Sequence, residues 1–173
     1  MRVFVTGASG YVGSAVVQEL LLASHDVLGM VRSENSAKKL IELGAQPHYG
    51  DLYDFETIKA GAPDCDAVIH TARNRDFSNY TEHCENDRHV IEALASALSG
   101  TSKPLVVTSG VGLMNDFGRL ITEDDNPESG SDVIPRMATE EAAHAASASG
   151  VDAYIVRLAP TVHGKEDKVL YHC

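Results

Sequence analysis

The chain has 173 residues, 43% of them hydrophobic and 23% charged, the length and balance of one globular domain with a core of its own. Fourteen Lys and Arg against 25 Asp and Glu leave a formal charge of −11, which argues against nucleic acid or an anionic membrane as a partner, because phosphate surfaces repel a net anion. The cysteines Cys65, Cys84 and Cys173 lack C-x-x-C spacing and indicate neither a disulfide framework nor a zinc site, so no metal ligand is expected and a reducing, cytoplasmic setting fits.

The apolar opening Met1 to Val5 is too short for a leader or a membrane span. Arg2 to Thr6 predicts a strand closed by glycine. Tyr11 to Ala23 carries a helical repeat through Val12, Ala15, Val16, Glu19, Leu20 and Ala23. Asp26 to Val31 is a second strand, and Asn35 to Leu43 a helix ended by Gly44. Gln46 to Tyr49, a short helix near Phe55 to Ala60, and the strand Ala67 to His70 follow. A long helix is expected over Tyr80 to Leu98, stopped by Gly100. Leu105 to Thr108 is an apolar run without alternation, suited to burial on both faces. The alanine-rich stretch Pro135 to Ser149 predicts a helix stopped by Gly150, and Ala153 to Leu158 a sixth strand. Strand and helix alternate about six times, which predicts an α/β fold of three layers, a Rossmann-type doubly wound parallel sheet. The irregular stretch Gly110 to Asp132 follows a strand's C-terminal end, where such sheets place ligand loops.

Thr6-Gly7-Ala8-Ser9-Gly10-Tyr11-Val12-Gly13 lies between the first strand and the first helix, the context that separates a dinucleotide fingerprint from chance glycines. Gly7 allows the tight turn, Gly10 the approach of a pyrophosphate, and Gly13 close packing of helix on sheet. The candidate cofactor contacts here are Gly7, Ser9, Gly10, Tyr11, Val12 and Gly13, with the helix N-terminus offering its N–H groups to phosphate. At the end of the second strand, where an acidic residue would accept the ribose hydroxyls of NAD, stand Arg32 and Ser33. Arg32 suits bidentate pairing with a 2′-phosphate and Ser33 a further hydrogen bond, so NADP(H) is expected in preference to NAD(H). The competing reading of Arg32 is an ordinary solvated loop residue.

With these motifs the chain resembles the short-chain dehydrogenase/reductase superfamily, in its extended or atypical, NAD-dependent epimerase/dehydratase-like branch. The resemblance also rests on Gly50-Asp51-Leu52, His70-Thr71-Ala72, Thr108-Ser109-Gly110 and Val156 to Gly164, each after a predicted strand. It implies that Asp51 and Leu52 contact the adenine and that His70, Thr71 and Ala72 line the diphosphate-ribose path. Thr108 and Arg157 would also border the cofactor, with the residues after Arg157 passing under the nicotinamide. The superfamily's Tyr-x-x-x-Lys pair is replaced by Arg136 and Glu140, within a Pro-Arg-x-x-Thr-Glu segment. An arginine is a poor proton donor at neutral pH. The serine of that machinery falls on Ser109 or Gly110. Candidates for catalysis are therefore Thr108, Ser109 and Arg136, the last as an electrostatic clamp on a developing oxyanion, with His163 near the nicotinamide. Against them stand turn-forming roles for Thr108 and Ser109, and a pairing of Arg136 with Glu140 one helical turn on.

Relatives of this kind continue well past Cys173. The expected organisation is a cofactor domain over 1–164, with 165–173 in place of a substrate-binding portion and apolar surface left exposed there. Two functions follow: an oxidoreductase acting on a carbonyl or alcohol of a small-molecule substrate, or a non-catalytic NADP(H) sensor. A folded product without further activity is a third. The helices Tyr80 to Leu98 and Pro135 to Ser149 correspond to those the superfamily uses to pair as a homodimer. The second is rich in alanine, which also suits packing on the chain's own sheet.

Overall fold

A computed structural model describes residues 1–74, 76–114 and 118–159. Six strands form one parallel sheet: β1 (Arg2–Thr6), β2 (Asp26–Val31), β3 (Gln46–Tyr49), β4 (Ala67–His70), β5 (Leu105–Gly110) and β6 (Ala153–Leu158), in the order β3-β2-β1-β4-β5-β6. Val3 lies opposite Val27 on one side and Ala67 on the other. The strand order reverses between β1 and β4. At such a switch point the connections leave in opposite directions, and a crevice opens at the C-terminal strand ends.

Among the described residues five α-helices connect the strands: α1 (Tyr11–Leu22), α2 (Glu34–Leu43), α3 (Phe55–Gly61), α4 (Tyr80–Leu98) and α5 (Met137–Ala148). Alternation in β1 divides the core. Phe4 points into a cluster with Ile58, Val90, Ile91, Leu94 and Leu105, under α3, α4 and α5. Val3 and Val5 point the other way, to Val17, Ala37 and Leu40 of α1 and α2. Local chemistry sets the ends. Asp54 caps α3 through Thr57 N, and Gly44 stops α2 at φ +95.

Several boundaries move from the sequence reading. Helix α2 begins at Glu34 because Ser33 is its N-cap, and α5 begins at Met137, after Pro135 and Arg136. Strand β5 runs on to Gly110 and its burial alternates, with Leu105, Val107 and Ser109 buried and Val106 and Thr108 only half-buried. The reason is coverage: α4 and α5 cover one face of β5, while on the other face Val106, Tyr154 and Val156 have no described helix over them. Ala138, Ala142, Ala143 and Ala146 are buried in the chain's own core, where α5 meets α4. No described helix is long and apolar enough to cross a membrane. The expectations placed on His163 and on 165–173 lie outside the described residues.

Candidate functional site

The turn from β1 to α1 is built so that its three glycines differ in kind. Gly7 has φ +69, and a Cβ there would sit 2.6 Å from Ala72 N. A Cβ on Gly13 would lie 2.0 Å from Gly7 O and 2.7 Å from Thr71 Oγ1. Both glycines are required by the fold itself, which packs the turn against the loop after β4. Gly10 is different. Among the described residues a Cβ on it would meet only Gly7 O, at 3.1 Å. Gly10 N donates to Gly7 O at 2.8 Å, which closes the turn and sets Gly10 as the N-cap of α1. That helix start has neither a side-chain cap nor an acidic residue in its first turn. The missing side chain thus keeps clear the approach to a helix N-terminus that draws an anion, and a dinucleotide's diphosphate fits this cradle.

At the tip of β2, Arg32 is exposed and makes no side-chain hydrogen bond or ion pair among the described residues. Ser33 is already engaged. Its Oγ accepts from Ser36 N at 3.2 Å and donates to Ser36 Oγ at 3.1 Å, so the hydroxyl expected at a 2′-phosphate is the cap of α2. Asp51 accepts from Tyr53 N at 3.0 Å, and Leu52 O accepts from Asn86 Nδ2 at 3.0 Å. Tyr53 and Asn74 both reach Nδ1 of His83, at 2.7 and 3.2 Å, tying the loop after β3 to the loop after β4. Thr71 Oγ1 donates to Thr6 O at 2.8 Å, and Ala72 is buried beside Gly7.

Behind this edge runs a buried polar chain that spacing alone does not reveal. Thr6 Oγ1 contacts His70 Nδ1 at 2.6 Å, and His70 Nε2 contacts Asp87 Oδ1 at 2.9 Å. His70, expected to line the cofactor path, is instead 1% exposed, with both ring nitrogens directed inward. Asp87 Oδ2 accepts from Arg136 Nη1 at 2.7 Å and from the Thr139 hydroxyl. Burial pushes the Asp87 carboxyl up, but the His70 hydrogen bond and charge, the Arg136 charge and the Thr139 hydroxyl outweigh it and hold the group at about 2. Arg136 Nη2 also reaches Thr108 O at 3.3 Å, and Thr108 Oγ1 donates to His70 O at 3.0 Å.

Arg136 does not pair with Glu140. That carboxylate is fully buried, accepts from Ser109 Oγ at 2.6 Å and receives Arg157 in a fork, with Nη2 at 2.9 Å and Nε at 3.0 Å. Burial raises the Glu140 pKa, and the Arg157 and Ser109 hydrogen bonds pull it below the usual carboxylate range. The remaining Arg157 nitrogen, Nη1, donates to Asp125 O at 2.9 Å, and Asp125 is in turn gripped by Arg119. Helix geometry explains the exchange of partners: the fork of Arg157 comes up from β6 beneath α5, while Asp87 crosses from α4. The structure therefore brings Thr108, Ser109, Arg136 and Arg157 together at the ends of β5 and β6. It ties Ser109, Arg136 and Arg157 into ion-paired networks, and it places no Tyr-x-x-x-Lys pair at the start of α5.

Asp87 was missed in the sequence, and a signal existed. It lies three residues before Val90 and four before Ile91, on the apolar face of α4, where an unpaired carboxylate is too costly to place.

The family model described as NAD(P)H-binding matches residues 7–171. An uncharacterised protein of Schizosaccharomyces pombe is 47% identical over 167 residues, 96% of this chain and 56% of that protein. Cinnamoyl-CoA reductase 1 of Arabidopsis thaliana is 38% identical over 120 residues, 64% of this chain and 34% of the relative. Among solved structures, UDP-glucuronic acid 4-epimerase from Bacillus cereus with UDP-glucuronic acid and NAD superposes with a TM-score of 0.73 at 20% identity, over 91% of this chain and 56% of the epimerase. That likeness is one of fold. The chain spans little more than half the length of the Schizosaccharomyces protein it matches almost end to end. A glycine turn shaped by its own backbone, a 3-2-1-4-5-6 parallel sheet and a family match over most of the chain agree: this chain belongs to the NAD(P)H-binding family, within the short-chain dehydrogenase/reductase superfamily.

Proposed function

We propose that the chain is the cofactor-binding part of an atypical short-chain oxidoreductase that uses NADP(H) in preference to NAD(H) and acts on a carbonyl or alcohol of a small organic substrate. The observation that carries the reading is Gly10, whose missing Cβ is hardly demanded by packing and leaves the α1 N-terminus open. In this reading Gly7, Ser9, Gly10, Tyr11, Val12 and Gly13 hold the diphosphate, and Asp51 and Leu52 flank the adenine. Thr71 and Ala72 border the ribose path. Arg32, exposed and without a side-chain partner among the described residues, receives the 2′-phosphate through its planar fork. The nicotinamide, when bound, supplies or accepts the hydride. Thr108 stands at the strand end nearest that chemistry, while Arg136 and Ser109 act as positioning residues that fix the ends of β5 and α5. The free, buried thiols Cys65 and Cys84 accord with a cytoplasmic setting, and the exposed Ala145 and Ala148 of α5 with pairing into a homodimer.

A second reading, a non-catalytic NADP(H) sensor, is favoured by one observation. Arg136 and Glu140, at the positions of the missing pair, are both engaged in ion pairs.

Fluorescence titration of NADPH and NADH against wild type and Arg32→Ala, followed by NADPH oxidation over aldehydes, ketones and quinones, separates these readings. The first expects tighter NADPH binding, lost on Arg32→Ala, together with turnover. Binding without turnover supports the sensor. Equal affinity for both cofactors overturns the NADP(H) preference.

A further inference from the structure

Immediately after Ala72, whose backbone packs on Gly7, the loop beyond β4 carries Arg73 into solvent. Its guanidinium carbon lies 5.8 Å from the ring centroid of Phe77 and 5.8 Å from that of Tyr80. The two rings are themselves stacked, 5.8 Å apart with 20° between their planes. The three centres form a near-equilateral triangle, so Arg73 lies over the seam of the ring pair. Phe77 is 70% exposed in spite of its contact with Tyr80. An exposed aromatic pair beside the glycine turn, with a cation held above it, offers a π surface and a positive charge at one place.

Among the described residues the Arg73 guanidinium has no ion pair and no side-chain hydrogen bond, in a chain of net charge −11, so its planar fork of N–H donors is open to an anion. The stacking also removes much of the rotamer freedom that an exposed arginine would otherwise lose on binding. The arrangement is a preformed anion fork next to an open π surface. The ligand that satisfies both is flat, aromatic and carries a carboxylate.

We propose that Arg73, Phe77 and Tyr80 form the substrate-recognition platform, and that it takes a planar aromatic carboxylate-bearing compound, the ring against Phe77 and the carboxylate in the Arg73 fork. This rests on the oxidoreductase reading for its meaning as a substrate site, but the platform's binding is measurable without it.

The test is calorimetric titration of trans-cinnamate into the chain, with and without saturating NADP⁺. 3-Cyclohexylpropanoate serves as a probe of equal charge without a π face, and cinnamyl alcohol as a neutral flat one. The proposal expects cinnamate to bind more tightly than either control. Arg73→Ala and Phe77→Ala are each expected to weaken it about tenfold or more, with NADP⁺ affinity unchanged. Because both side chains are exposed, the variants are expected to keep the wild-type melting temperature. No cinnamate binding, wild-type cinnamate affinity in either variant, or equal binding of the cyclohexyl control overturns the platform. A loss of NADP⁺ affinity in Arg73→Ala also overturns it, by assigning that arginine to the cofactor. Cinnamate binding with no NADP⁺ binding at all upholds the platform and removes the oxidoreductase reading.

Discussion

Asp87 Oδ2 stands 2.7 Å from Arg136 Nη1 across 49 residues of chain, and the other oxygen of the same carboxylate holds His70 Nε2 at 2.9 Å. One side chain of α4 thereby fastens the start of α5 to the end of β4. Removing either partner of such a pair leaves an uncompensated charge in a low-dielectric setting. Arg136→Ala is expected to lower the unfolding free energy by about 3 kcal/mol, measured by urea denaturation, while NADPH still binds. Unchanged stability would show that the pair is not the clamp described.

The same carboxylate sets a pH dependence. Its folded-state value of about 2 lies below the ~3.9 of an exposed aspartate, so folding favours the ionised form. The contribution, about 2 kcal/mol, is fully present above pH ~4 and is lost as the pH falls toward 2. Melting temperatures of wild type and Asp87→Asn between pH 6 and pH 2.5 are expected to converge at the acid end. A constant gap between them would contradict the assignment.

Glu140 gives a graded series. Ser109→Ala removes one of several donors and is expected to cost about 1 kcal/mol. Arg157→Ala strips the fork from a fully buried carboxylate and is expected to cost about 3 kcal/mol. Thermal melts of the two variants check the order, and an equal or reversed effect would place Ser109 in some other role.

The glycines of the turn separate folding from binding. Gly13→Ala puts a Cβ 2.0 Å from Gly7 O and is expected to destabilise the fold by about 3 kcal/mol. Gly10→Ala needs only a small shift of one carbonyl. It is expected to keep the melting temperature within a few degrees while weakening NADPH about tenfold, the equivalent of ~1.4 kcal/mol. Calorimetry and a melt on each variant suffice.

These contrasts also show what could be read from residue order. The sheet and the helices were legible because each rests on local information: the periodicity of Val12 to Leu20, the stop at Gly44, the apolar strand Ala67 to His70. The turn was legible for the same reason, since its glycines answer to neighbours within a few residues and to one adjacent loop. The networks were not. Arg136 has Glu140 at helical spacing, and local reasoning pairs them, but the tertiary fold offers Arg136 a carboxylate from α4 and gives Glu140 an arginine from β6. Ser33 shows the same limit on a smaller scale, its hydroxyl taken by the helix that begins beside it. Burial of β5 on one face only likewise depends on which helices cover the sheet, a property no single segment carries.

The amides at the start of α1 are proposed to receive the diphosphate of a nicotinamide cofactor. Backbone amide chemical shifts followed by NMR during an NADPH titration test this most directly. Saturable shifts, largest over Gly7 to Gly13, are expected. Shifts centred elsewhere, or none at millimolar NADPH, would contradict it.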